Sequence, residues 1–451
     1  ALKVFTGSDA TAVGASAAAA ATSAANITAV GRNALTALNH ADAANNTAIG
    51  AYSSDALQGG ASIGHSNTAV GAYSYSASLD GMRNTALGKS ALHAGDCVND
   101  NIGVGYQALY AFTGSNATAV GSGAADAATS AAQLVAVGKD AAGVITTATD
   151  VTAIGYQSLK AVTTTTLGGY STAVGSYAGK NFIRGSNTAI GYAAAMNVGY
   201  GRNNTAIGVN AMLGASSAAG SINSCGYAQT ATTITCTSNA TINTDQRVTG
   251  TDIAEGTYVT AITGGYGSVT SFVISQATTN ASGGTLAGQT LAFYQTNADD
   301  CVAIGKGALE VITTGNANIA IGTGALDAVT SGAHNVAIGY NAGGALADND
   351  KNIAIGSYAL AGANYGEHYN VAIGYYALAA ETSGADGCVA IGRGALEDQN
   401  TADSNNVAVG YQAATNLDGG TNSVYMGYLA GGAGVITGDE NVAIGKSAFL
   451  E

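Results

Sequence analysis

Proline and tryptophan are absent from this chain of 451 residues, and only 9% of its residues carry charge. Disordered chains are rich in proline and charge, so a chain poor in both is expected to fold. Proline lacks a backbone donor and is kept out of sheet interiors, so its complete absence points to a backbone paired nearly everywhere. No run of 18 or more apolar residues occurs, which excludes a transmembrane helix and predicts no membrane insertion. Basic residues are scarce, 14 against 28 acidic, for a net charge of −14. Phosphate backbones need a basic surface, so nucleic acid is excluded as a partner. A glycan-depolymerising enzyme needs paired carboxylates and usually aromatic platforms, and the lack of tryptophan weighs against one.

Cysteine is also sparse. Five is an odd number, so not all can pair within the chain. Cys225 and Cys236 are close enough in sequence to form a disulfide. Cys301 and Cys388 hold the same repeat position five repeats apart, roughly 24 Å in a stacked array, and are expected as free, buried thiols. No leader peptide is visible and the chain starts at Ala1, as expected of a processed chain or part of a longer polypeptide.

What is abundant is glycine, at 65 residues, and a phrase of the form A-[IVL]-G that recurs 21 times, twice in variant form. Its glycines include Gly50, Gly88, Gly121, Gly155, Gly208, Gly305, Gly339, Gly374, Gly410 and Gly445. Spacings run from 16 to 21 residues, mostly 17 or 18, with one gap of 97 after Gly208. The residue before the glycine is aliphatic in all 21 copies, and the one before that is alanine in 19. Alanine or serine stands three residues after it in every copy, often followed by leucine, and asparagine stands four before it in 12.

A period near 18 also fits five helical turns. The central glycine, the Asn–Thr lead-in and the β-branched residues argue for strands and turns instead. The expected fold is all-β: a parallel β-solenoid (β-roll) of about 21 coils of 17–18 residues, interrupted by a small antiparallel β-domain. In this reading "NTAIG" is a strand, the "AL" that follows opens a second strand, and the variable Gly/Ser/Asn/Asp text is the return loop. Stacking is expected to bury the aliphatic and leucine positions. The alternate face, lined by alanine and asparagine, then needs a neighbour, most simply another copy of the chain. Three residues before the glycine, threonine stands in 10 of the first 12 repeats, whereas valine or isoleucine stands in all of the last nine. That difference predicts distinct interiors, the second more tightly packed.

The domains expected are residues 1–214, a shaft of 12 repeats; 215–298, an inserted knob; and 299–451, a shaft of nine repeats. In the insert, apolar and Thr/Ser residues alternate between Gly-rich turns, the sign of a small antiparallel sheet. Its "VTGTDIAEGTYVTAI" is similar to small β-modules of phage structural proteins.

The phrases "NTAIG", "NVAIGYYAL" and "GYQALYAFTGSNATAVG" resemble the head repeats of trimeric autotransporter adhesins and, more closely, the longer repeats of phage and marine-virus tail-fibre proteins. The resemblance covers roughly 365 residues. It implies a left-handed parallel β-roll, a homotrimer, and work in attachment or as a stiff spacer.

Candidate chemistry is thin. The five histidines show no metal spacing, and Asp-rich spots lie in text that suits turns, so no metal site, cofactor or catalytic residue is expected. One aromatic cluster, Tyr365, His368, Tyr369, Tyr375 and Tyr376, is the candidate contact for a host-surface glycan or protein, since tyrosine offers apolar area with a polar tip. The expectation is a non-enzymatic fibre, a viral tail fibre for host adhesion located on the virion. The alternative is a cell-surface adhesin or extracellular filament with protomers stacked end to end. Tail joined to head would give a repeat spacing of 20 residues.

Overall fold

The computed structural model describes residues 7–40, 42–57, 64–93, 99–131, 133–160, 169–182, 185–199, 201–214, 220–228, 233–236, 247–249, 259–263, 271–274, 285–294, 298–362, 367–380, 386–398, 405–417, 420–432 and 436–449. Among these residues there are strands and turns and no helix. The fold is a parallel β-solenoid. The chain divides into two compact units, Ala1–Ser186 and Asn187–Glu451.

The first unit holds ten strands of three or four residues, from Thr11–Val13 to Thr172–Val174. Each pairs in parallel with its sequence neighbour, repeat position on repeat position: Thr47 with Thr68, Ala48 with Ala69, Ile49 with Val70. The second unit holds eleven such strands, from Thr188–Ile190 to Val442–Ile444. There Thr205–Ile207 pairs directly with Val302–Ile304, so the ladder runs straight across the long interruption. Within the interruption, six strands pair antiparallel, in the order Arg247–Thr249, Thr285–Tyr294, Gly220–Ala228, Thr233–Cys236, Ser271–Ile274, Val259–Thr263. Cys225 and Cys236 are direct partners in that register.

One coil shows how the repeat works. After strand Ile319–Ile321, Gly322 adopts φ +136°, a conformation that L side chains rarely enter. Gly324 and Leu326 follow in the left-handed region, at φ +66° and +50°. Three residues of positive φ in five turn the chain sharply, and the coils on both sides offset the strain with hydrogen bonds. Gly322 N–H donates to Ile304 O at 2.8 Å, Gly324 N–H to Lys306 O at 3.0 Å and Leu326 N–H to Ala342 O at 3.0 Å. The "AL" segment therefore does not open a second strand. Among the described residues each coil has one strand, and the turn after it pairs with neighbouring coils through alternating right- and left-handed residues.

The faces of the strand are also the reverse of expectation. The alanine two residues before the glycine points inward and is fully buried, as at Ala48, Ala136, Ala320 and Ala372. The aliphatic residue next to the glycine points outward: Ile338 is 38% exposed, Ile391 37% and Met426 41%. The position that is threonine early and valine or isoleucine late shares this outer face, as the exposed Ile353 shows. The difference between early and late repeats is thus a difference of surface and not of interior. Space explains the inversion. The coil interior is already filled by leucines in the left-handed corner, such as Leu309, Leu326 and Leu396, and by bulky residues farther round, such as Phe112, Phe182 and Ile312. Beside such residues nothing larger than alanine fits.

The asparagine four residues before the glycine is buried beside that alanine and forms a column of its own. Asn335 N–H donates to Asn318 Oδ1 at 3.0 Å, and Asn335 Nδ2 donates to the Asn349 carbonyl at 2.7 Å. Asn352 N–H in turn donates to Asn335 Oδ1 at 2.9 Å. Each amide thus clips a coil to its neighbours where the backbone alone leaves polar groups unpaired. In the first unit Leu134 and Val151 replace it in consecutive rungs, and the strands there extend by one residue to pair Leu134 with Val151. A lone leucine among asparagines lacks that remedy. Asn335→Leu strands the Asn349 carbonyl and the Asn352 N–H, and destabilises the second unit by about 2–4 kcal/mol in urea denaturation.

Candidate functional site

In-register coils turn repeat positions into columns. The position just after the glycine, at the end of the strand, carries tyrosine or a cation in many coils. Over the last five coils it reads Tyr375, Arg393, Tyr411, Tyr428, Lys446. The Arg393 guanidinium lies 5.9 Å from the Tyr375 ring centroid and 5.4 Å from that of Tyr411, and its Nη1 donates to the Tyr411 hydroxyl at 3.0 Å. Tyr411 stacks on Tyr428 at 5.2 Å with planes 11° apart, and Lys446 Nζ sits 5.7 Å from the Tyr428 ring. Such cation–aromatic contacts each contribute on the order of 0.5–1 kcal/mol at exposed sites.

The next position forms a second column. Tyr376 stacks on Tyr358 at 4.9 Å, and Tyr358 meets Tyr340, from the adjacent column, edge-on at 5.2 Å. Tyr375 and Tyr376 meet at 4.5 Å and join the two columns. The first unit carries a similar stack. Arg32 covers Tyr52 at 4.8 Å, Tyr52 stacks on Tyr73 at 5.1 Å, and His93 lies against Tyr73 and Tyr110.

The cluster read from the sequence comes apart in this geometry. Tyr365 lies outside the described residues. His368 and Tyr369 precede strand Val371–Ile373, whereas Tyr375 and Tyr376 follow it. His368 accepts the Asp350 N–H on Nδ1 at 3.0 Å, which leaves the neutral ring's proton on Nε2, and its own N–H donates to Asp386 Oδ1 at 2.6 Å. Tyr369 is 6.4 Å from His368 and takes a 3.0 Å hydrogen bond from Lys351 Nζ, which raises the lysine pKa above its ordinary value. Contiguous text thus supplies two separate stripes. Tyr376 meets Tyr358, which in turn meets Tyr340, and Tyr375 meets Arg393, partners that sequence proximity missed. Their signal was a constant offset from the anchor glycine.

A shallow cleft of about 210 Å³ adjoins these columns, lined by Lys306, Gly307, Glu310, Thr323, Gly324, Asp327, Tyr340 and Asn341. Gly307 and Gly324 open it by omitting the side chain that neighbouring coils place there. Burial raises the Asp327 pKa, and the charge of Glu310 adds to the effect. Among the described residues no group of three His, Cys, Asp or Glu could hold a metal ion. Among them, too, no helix is long and apolar enough to cross a membrane. Cys301 and Cys388 are free and buried. Cys301 occupies an asparagine position in the buried column, and its thiol donates to the Gly315 carbonyl as the amide would. Burial pushes that thiol up to about 11, so it stays protonated at neutral pH.

Compared with known proteins, the chain matches no family model, no curated protein and no solved structure.

Proposed function

We propose that this protein is a non-catalytic fibre, a viral tail fibre that holds a contact surface away from the particle for host adhesion. Its copies associate along the outward face of the strands, most simply as a homotrimer. One observation carries the reading: the fold leaves the aliphatic residues beside its anchor glycines on the outer face of the strands. Ile338, Ile353, Ile391 and Met426 are exposed, although the interior is filled by alanine, asparagine and leucine. Aliphatic columns repeated rung after rung form a continuous apolar surface, and surfaces of that kind mark association sites. Association of copies makes a stiff rod of units that individually bury little. The aromatic and cationic columns border this face at the strand ends and are the surface offered to a host glycan or protein.

The test is antibody labelling. An antibody against the chain is expected to decorate the fibres of virus particles produced by the source culture. Label confined to cell envelopes, with particles bare, would overturn the viral reading in favour of a cellular adhesin.

A further inference from the structure

The tyrosine columns have a chemical consequence that attachment does not use. Stacking in register holds phenols of successive coils at near-contact distance without any flexible approach. Tyr340, Tyr358 and Tyr376 are separated by 5.2 and 4.9 Å between ring centroids. They come from positions 18 residues apart in the chain, so each contact joins different coils.

We propose that Tyr340, Tyr358 and Tyr376 form an oxidative cross-linking site, at which a haem-peroxidase-type oxidant with hydrogen peroxide couples the phenols of successive coils into dityrosine. The chemistry balances with that co-reactant. Each of two phenols gives up one electron and one proton and becomes a tyrosyl radical. The radicals pair at their ortho carbons, forming one carbon–carbon bond. Each ortho carbon then releases its hydrogen as a proton, and the phenolic oxygens are reprotonated as the rings regain aromaticity. Two hydrogens leave in total, and one peroxide accepts them to give two waters.

Three observations support this site over tyrosines elsewhere. The rings are surface-held, with Tyr340 51% exposed, so an oxidant can take an electron from them. Burial and the neighbouring Tyr340 keep Tyr358 protonated, and the two rings meet edge-on. Finally, the chain has no tryptophan to divert the oxidation, and Cys301 and Cys388, its described thiols, are buried. A dityrosine bridge would tie one coil to the next covalently. In a stack where each coil touches only its neighbours, that blocks the local opening through which such arrays unravel.

The experiment treats dilute folded protein with a haem peroxidase and hydrogen peroxide, then reads dityrosine fluorescence and peptide masses. The expected product is an intramolecular link between the peptides bearing Tyr340 and Tyr358, or Tyr358 and Tyr376, two hydrogens lighter than their sum. Its yield should exceed that of any pair involving Tyr170, which is 71% exposed and has no described ring partner, by about tenfold or more, as preorganised pairs outrun chance encounters. Tyr358→Phe, which keeps the ring and the fold, should abolish both links and leave a Tyr411–Tyr428 link intact. The proposal is overturned if links pair at random, if they join only separate molecules, or if urea-unfolded chain gives them in equal yield.

Discussion

Gly322→Ala weakens the coils around it by about 3–5 kcal/mol, while Gly324→Asn, two residues later in the same turn, costs less than about 1 kcal/mol. The two glycines look equivalent in the text "IGTGAL" and are opposite in physics. At Gly322 the backbone sits at φ +136°, and a Cβ would lie 2.3 Å from the Gly339 carbonyl oxygen of the next coil. Conformational strain and backbone overlap therefore add, and neither can be relieved without parting the stack. At Gly324 φ is +66°, the left-handed region that asparagine tolerates, and the nearest atom to a new Cβ is the Asp327 carboxylate at 3.4 Å. Asn210 and Asn341 hold the same repeat position in other coils at φ +56° and +50°. Amide hydrogen exchange is the measurement of choice, since a stacked array opens locally and a single unfolding midpoint averages the damage away. Equal exchange rates in the two variants would refute the column argument.

The anchor glycine was legible because nothing else can stand there, and a strict requirement leaves a strict pattern. The faces were misread because hydrophobicity was weighed above size. Two residues before the glycine, alanine recurs with little tolerance. The position next to the glycine accepts valine, isoleucine, leucine and methionine alike. Narrow tolerance marks a confined site, and variation in bulk marks an open one. The exceptions obey this rule. Tyr425 replaces the alanine and is fully buried, but its coil carries Gly431 where several others place leucine, and a Cβ on Gly431 would meet the tyrosine ring at 2.6 Å. One large residue enters because another is removed. The left-handed leucines were not legible, because leucine does not favour positive φ; coil-to-coil hydrogen bonds impose it. The aromatic columns needed register before proximity: Tyr358 and Tyr376 are distant in text, and only alignment on Gly356 and Gly374 brings them together.

Lysine on the outward face separates folding from association. In Ile338→Lys/Ile355→Lys the substituted side chains leave the coil interior untouched, since both stand on the outer face next to their glycines. The variant should keep its β-sheet circular dichroism and lose no more than about 1 kcal/mol of stability per chain, the cost of removing contacts between neighbours on one sheet face. Association is another matter. On the proposal that copies meet along this face, each new ammonium would be sealed against an aliphatic column. Uncompensated charge of that kind costs several kcal/mol per site, so dissociation should rise by roughly a thousandfold or more. Sedimentation at micromolar concentration would then find single chains where the parent shows multiples. The matched change Ile49→Lys/Val70→Lys in the first unit tests where copies meet. Threonines Thr47 and Thr68 stand on that face beside the altered residues, so it is already half polar and should lose less. A parent chain that sediments as a monomer, or a lysine variant that keeps the parent's mass, would leave the exposed aliphatic columns without their proposed role.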